Sequence, residues 1–73
     1  MKTEDERKLE IVQALREYAK SNELSAFCTP HYFARQIMPD ESYFLKCEVI
    51  SNLIESGIMV MVGEKWVMKE RVV

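Results

Sequence analysis

Several side chains from residue 31 onward could meet an anionic oxygen. Arg35, Lys46, Lys65 and Lys69 carry positive charge, and His31, Ser42 and Tyr43 add ring and hydroxyl donors. Donors of this kind bind phosphate, and those near the start of a helix can also reach base edges. A second group, Phe44, Met59, Met61 and Trp66, is apolar. Methionine and aromatic side chains suit adaptable contacts with a partner or a second copy, and they equally suit a core. Nothing points to catalysis. There is no glycine-rich phosphate loop, no nucleophile–base spacing and no metal cluster. His31 and Cys28 alone make too thin a ligand set for a metal, and Asp40-Glu41 read as helix caps. The expectation is a non-enzyme with no cofactor, no metal and no evident small-molecule substrate.

The elements that must position these residues can be read in order. Thr3-Glu4-Asp5-Glu6 forms a capping box, and its acidic residues suit the positive end of a helix. Leu9, Ile11, Val12, Leu15, Tyr18 and Ala19 then recur at helical spacing, which predicts a first helix over about 4–20. Ser21-Asn22 ends it. Leu24 to Cys28 is a connector anchored by Leu24 and Phe27, with room for a very short extended piece. Thr29-Pro30 starts a second helix, with Thr29 as N-cap and Pro30 where a missing N–H costs nothing. Tyr32, Phe33, Ile37 and Met38 give its apolar stripe, and Pro39 ends it near residue 38. Asp40 or Ser42 caps a third helix over about 42–56, which Gly57 terminates. Its buried stripe is Val49, Ile50 and Leu53, and Phe44, Glu48, Ser51, Asn52 and Glu55 lie opposite. A hairpin over about 58–69 turns at Gly63-Glu64, pairing Met61 with Trp66 and Val60 with Val67. Met59, Met61, Trp66 and Met68 share one face; Ile58, Val60, Val62 and Val67 share the other. A half-solvated hairpin alternates apolar with polar residues. This one is apolar on both faces, so helix 1, the chain end or a partner must cover the second.

Composition sets the frame. The 73 residues suit one domain, and 48% hydrophobic content is enough for a core. A chain this short buries only about 60% of its unfolded surface, so every apolar face matters. No apolar run approaches a membrane span, and Met1 to Glu10 lacks a signal-peptide core; the expectation is a cytoplasmic protein away from membranes. Cys28 and Cys47 are then two reduced thiols, with one disulfide as the alternative. The net charge is −2. Residues 29–56 hold Arg35 and Lys46 against Asp40, Glu41, Glu48 and Glu55, two cations to four acids. Residues 57–73 hold Lys65, Lys69 and Arg71 against Glu64 and Glu70, three to two. A phosphate contact is therefore better placed on the hairpin, with Lys65 at its tip, than on the helix pair.

Phe33-Ala34-Arg35-Gln36-Ile37, Leu53-Ile54-Glu55-Ser56-Gly57-Ile58 and the Gly63 hairpin together resemble the winged helix-turn-helix family. The resemblance spans nearly the whole chain. It implies an α+β, mostly α fold, a three-helix core with a C-terminal β-hairpin. It also implies insertion of helix 3 into the DNA major groove while the wing touches phosphate or minor groove. On that reading Ser42, Tyr43, Lys46, Arg35, His31, Lys65 and Lys69 contact double-stranded DNA. The protein is then a small transcriptional regulator, working as a dimer through helix 1 or the apolar hairpin. The alternative is a winged helix used only for protein–protein contact, as an assembly subunit or a small mobile-element inhibitor. Phe44, Met59, Met61 and Trp66 would then face the partner. The acidic helix pair and the two-sided apolar hairpin favour that alternative.

Overall fold

The computed structural model describes residues 2–25 and 29–69. Phe27, Cys28, Glu70 and Arg71, which entered the sequence reading above, lie outside the described residues. Three helices and one hairpin follow in chain order: α1 (Glu4–Ser21), α2 (Pro30–Ala34), α3 (Tyr43–Glu55), β1 (Met59–Val62) and β2 (Lys65–Met68).

The capping box forms as the sequence predicts. The Thr3 hydroxyl accepts from the Glu6 N–H at 3.2 Å, and the Glu6 carboxylate accepts from the Thr3 N–H at 3.3 Å. At the other end, extended Asn22 returns its backbone N–H to the Tyr18 carbonyl at 2.9 Å. Ile11 and Leu15 are fully buried, with Val12, Tyr18 and Ala19 packed beside them. Leu9 departs from its expected place on that face. It is 60% exposed, because it sits roughly 200° around the helix from Ile11.

α2 is shorter than predicted, five residues instead of about nine. Pro30 opens it, and Thr29 is extended as an N-cap should be but makes no side-chain cap bond. After Ala34 the chain tightens. Arg35 N–H bonds to Tyr32 O at 3.1 Å and Gln36 N–H to Phe33 O at 3.0 Å, both three residues back. Met38 then adopts φ +41°, in the left-handed region. Pro39 bars the right-handed helical conformation at Met38, and the tightening propagates back from there. Phe33, Ala34 and Ile37 are buried, so α2 and its turn still fill the core; Tyr32 faces outward instead.

Ser42, not Asp40, caps α3, its hydroxyl accepting from Leu45 N–H at 3.3 Å. The C-terminal end is a Schellman motif: Ile58 N–H returns to Leu53 O at 3.0 Å and Gly57 N–H to Ile54 O at 3.2 Å. Gly57 supplies the required positive φ of +80°. Leu45, Val49, Ile50 and Leu53 are buried, and Phe44, Glu48, Asn52 and Glu55 are exposed, as the spacing predicts.

The hairpin register is Met59↔Met68, Val60↔Val67, Met61↔Trp66 and Val62↔Lys65, antiparallel around Gly63-Glu64. Gly63 at φ +66° takes the first central position, as in a II′ turn. The short extended piece expected in the connector is present. Ser25 forms a bridge to Lys65, and Trp66 N–H donates to Leu24 O at 2.6 Å. Of the two faces, the one carrying Met59, Trp66 and Met68 packs on the core. Met61 belongs to that face by alternation but overhangs it near the tip and is 52% exposed.

Candidate functional site

The exposed residues best placed for contact gather where α2's end meets α3's start. Arg35 lies with its guanidinium carbon 5.0 Å from the centre of the Tyr43 ring. Tyr43 meets Phe44 edge to face, with ring centres 6.2 Å apart. The helix register that buries Leu45 and Val49 turns Phe44 outward, and it is 84% exposed. A guanidinium over a tyrosine at an exposed site contributes about 0.5–1 kcal/mol, enough to orient Arg35 without shielding it. Ser42 stands at the same corner, with its hydroxyl already engaged as the cap of α3. His31 is exposed on α2.

Lys46 does not join them. Its expected role as a base- or phosphate-reading cation is corrected by its burial: the residue is 3% exposed. Its ammonium donates to the carbonyls of Ile37 and Met38, at 2.9 Å each. The position is one helical turn from Val49 and Ile50, so the side chain shares their buried stripe, and its charge finds carbonyl oxygens instead of solvent. The exposed face of α3 therefore carries no cation.

The acids expected to repel phosphate are also placed differently from a simple count. Glu41 is held by two of the three Arg7 guanidinium nitrogens, Nε to Oε2 at 3.1 Å and Nη2 to Oε1, and also accepts from Ser42 N–H at 2.7 Å. The Arg7 hydrogen bonds, seconded by the Ser42 N–H, lower its carboxyl to about 2. Glu48 lies 3.5 Å from the ammonium of Lys8 on α1. Two of the four acids in the helix pair are thus answered from α1. The sequence reading missed this, although a signal existed: Arg7 and Lys8 lie four and three residues before Ile11, on the side of α1 that faces α3.

On the hairpin, Lys65 and Lys69 are both exposed, and among the described residues no carboxylate lies within ion-pair range of either. Lys65 opens β2 and Lys69 lies just past its end, about 13 Å apart along an extended strand. The backbone of Lys69 is engaged, its N–H donating to Ile58 O at 2.7 Å and its carbonyl accepting from Arg16 at 3.1 Å. Of the residues expected at a partner contact, Phe44 and Met61 are exposed. Met59 is not: at 1% exposure it is core, because it is the first strand residue over α3. Trp66 is half-buried against the core, and its indole N–H, buried, has no acceptor among the described residues. Beside it an open groove runs between α1 and β2, lined by Gln13, Ala14, Glu17 and Met68.

Cys47 is a free, half-buried thiol. Among the described residues no three His, Cys, Asp or Glu side chains converge as a metal site would need, and no helix is long and apolar enough to cross a membrane.

The described residues define a mostly helical α+β protein, three helices closed by a two-stranded antiparallel hairpin. The chain matches no known protein family, no curated protein and no solved structure.

Proposed function

We propose that this chain is a winged helix-turn-helix domain that works as a protein-interaction module through the start of α3. One observation carries the reading: Phe44 stands almost fully in solvent at the first turn of α3, while Lys46, the helix's one cation, is buried. Affinity for DNA comes largely from cations neutralising phosphate, and this face offers none beyond Arg35. An exposed aromatic beside a tyrosine and an arginine has instead the composition of an interface anchor, where Trp, Tyr, Phe and Arg are enriched.

A second reading, a small DNA-binding transcriptional regulator, is favoured by a different observation. Glu41 and Glu48 are tied to Arg7 and Lys8, which removes much of the acidic obstacle, and Arg35, Lys65 and Lys69 remain open to a phosphate.

One pair of measurements separates the two. In fluorescence anisotropy with a mixed-sequence duplex at low salt, the interaction module gives no binding at micromolar protein. Retardation or anisotropy that falls steeply with salt and weakens in Lys65→Glu would sink it in favour of the regulator. In cross-linking from native extract, the module predicts a defined adduct that Phe44→Asp abolishes while the circular dichroism stays unchanged. An adduct indifferent to Phe44→Asp rules out this face as the contact.

A further inference from the structure

Two links join the segment after α2 to the first turn of α3. The outer one is Arg35 over the Tyr43 ring, 5.0 Å from its centre and open to solvent. The inner one is the Lys46 ammonium on the carbonyls of Ile37 and Met38, 2.9 Å each and buried. The links run in parallel. Ile37 follows Arg35 by two residues, and Lys46 follows Tyr43 by three, one turn along the same side of α3.

We infer that Lys46 is a positioning residue for the binding corner: its buried ammonium holds the α2–α3 turn in the conformation that lays Arg35 on Tyr43. The turn needs such a hold. Met38 sits at φ +41°, a left-handed conformation that is strained for a non-glycine residue, and it precedes a proline. Glu41 N–H also bonds to Met38 O, at 2.9 Å, so one carbonyl collects two donors across the turn. The Ile37 and Met38 carbonyls both lie past the end of α2, where the Lys46 ammonium reaches them. Without the ammonium those two carbonyls have no other side-chain donor among the described residues, and the segment is free to relax toward a lower-strain turn. Arg35 then loses its fixed approach to Tyr43. The inference concerns the corner described under Proposed function, but its test needs no partner. A failed partner assay leaves it standing, and its own failure leaves the partner reading standing.

The test is nuclear magnetic resonance on the full chain. In the wild type, the Lys46 ammonium gives a solvent-protected nitrogen–proton signal with through-bond couplings to the Ile37 and Met38 carbonyls, and Lys65 gives none. The Arg35 δ-methylene protons are displaced upfield by the Tyr43 ring, and Tyr43→Leu cancels that displacement. In Lys46→Met, which keeps the apolar stem and removes the charge, the Arg35 displacement is lost while the core methyls of Ile11 and Leu15 keep their shifts. An Arg35 displacement that survives in Lys46→Met overturns the inference. So does a wild-type Lys46 ammonium that exchanges with water as freely as that of Lys65, a result that does not depend on whether any variant folds.

Discussion

The α2–α3 turn and the β1–β2 turn reverse the chain by opposite means. The hairpin satisfies its backbone with backbone: paired strands, a glycine at the tip, a register from Met59↔Met68 to Val62↔Lys65, and the Leu24 carbonyl on Trp66 N–H. One side chain is recruited, Arg16 on the Lys69 carbonyl past the end of β2, while Met61 and Val62 are left more than half exposed and Lys65 points into water. The α2–α3 turn has no partner strand. It borrows its hydrogen bonds from Lys46, Glu41 and Ser42, and through Glu41 from Arg7 on α1. A turn whose backbone pairs with itself only once, Glu41 N–H on Met38 O, consumes charged side chains, and those charges are then lost to any ligand. A turn that pairs with backbone leaves its side chains free.

The difference can be broken at several strengths. Lys46→Ala strips the buried Ile37 carbonyl of its side-chain donor, leaves Met38 O with the Glu41 N–H alone and opens a void, so urea unfolding should show a loss of about 2–4 kcal/mol. Lys65→Ala, the matching change on the hairpin, should stay within about 0.5 kcal/mol in the same measurement. Equal losses for the two lysines would erase the distinction. Between these, Gly63→Ala forces a side chain into φ +66°, where no neighbour crowds it, and should cost about 1 kcal/mol, all of it conformational.

A weaker effect lies in the acid limb. The Arg7 guanidinium, with the Ser42 N–H, holds the Glu41 carboxyl at about 2 against an ordinary 4.5. The folded form then binds a proton less readily than the unfolded chain. Its stabilising contribution is complete above about pH 4.5 and is lost as pH falls toward 2. Glu41→Gln should therefore flatten stability against pH in that window, read from thermal melts, and leave the slope near neutrality unchanged. A slope that persists in Glu41→Gln would mean that the Arg7 tie is not formed in solution.

Legibility followed the range of the interaction. The Thr3–Glu6 capping box, the glycine stop at Gly57 and the hairpin register all depend on residues within a few positions of one another and are visible in the sequence, whereas the α3 cap was narrowed only to Asp40 or Ser42. The α3 stripe was equally plain, down to the outward face of Phe44, Glu48 and Glu55. α2 was overestimated because Pro39 sets an outer limit on a helix and says nothing of tightening before it. Leu9 misled because an apolar residue at nearly helical spacing still falls off the buried stripe. At the site, Lys46 was assigned by its place near the start of α3, although its spacing sets it toward the stripe of Val49 and Ile50 that buries it. Met59 shared an alternating face with Met61, and only the packing of α3 divided them.

By itself, then, the sequence determined where each helix and strand begins and ends, apart from α2, because caps, glycines and prolines act through the local backbone. Which charges remain available was decided by the tertiary structure. Lys46 is consumed by a turn eight and nine residues away, Glu41 by Arg7 across 34 positions, and Glu48 by Lys8 from another helix. A formal charge is a property of a residue, but whether it faces a carbonyl, a carboxylate or water depends on what packs beside it.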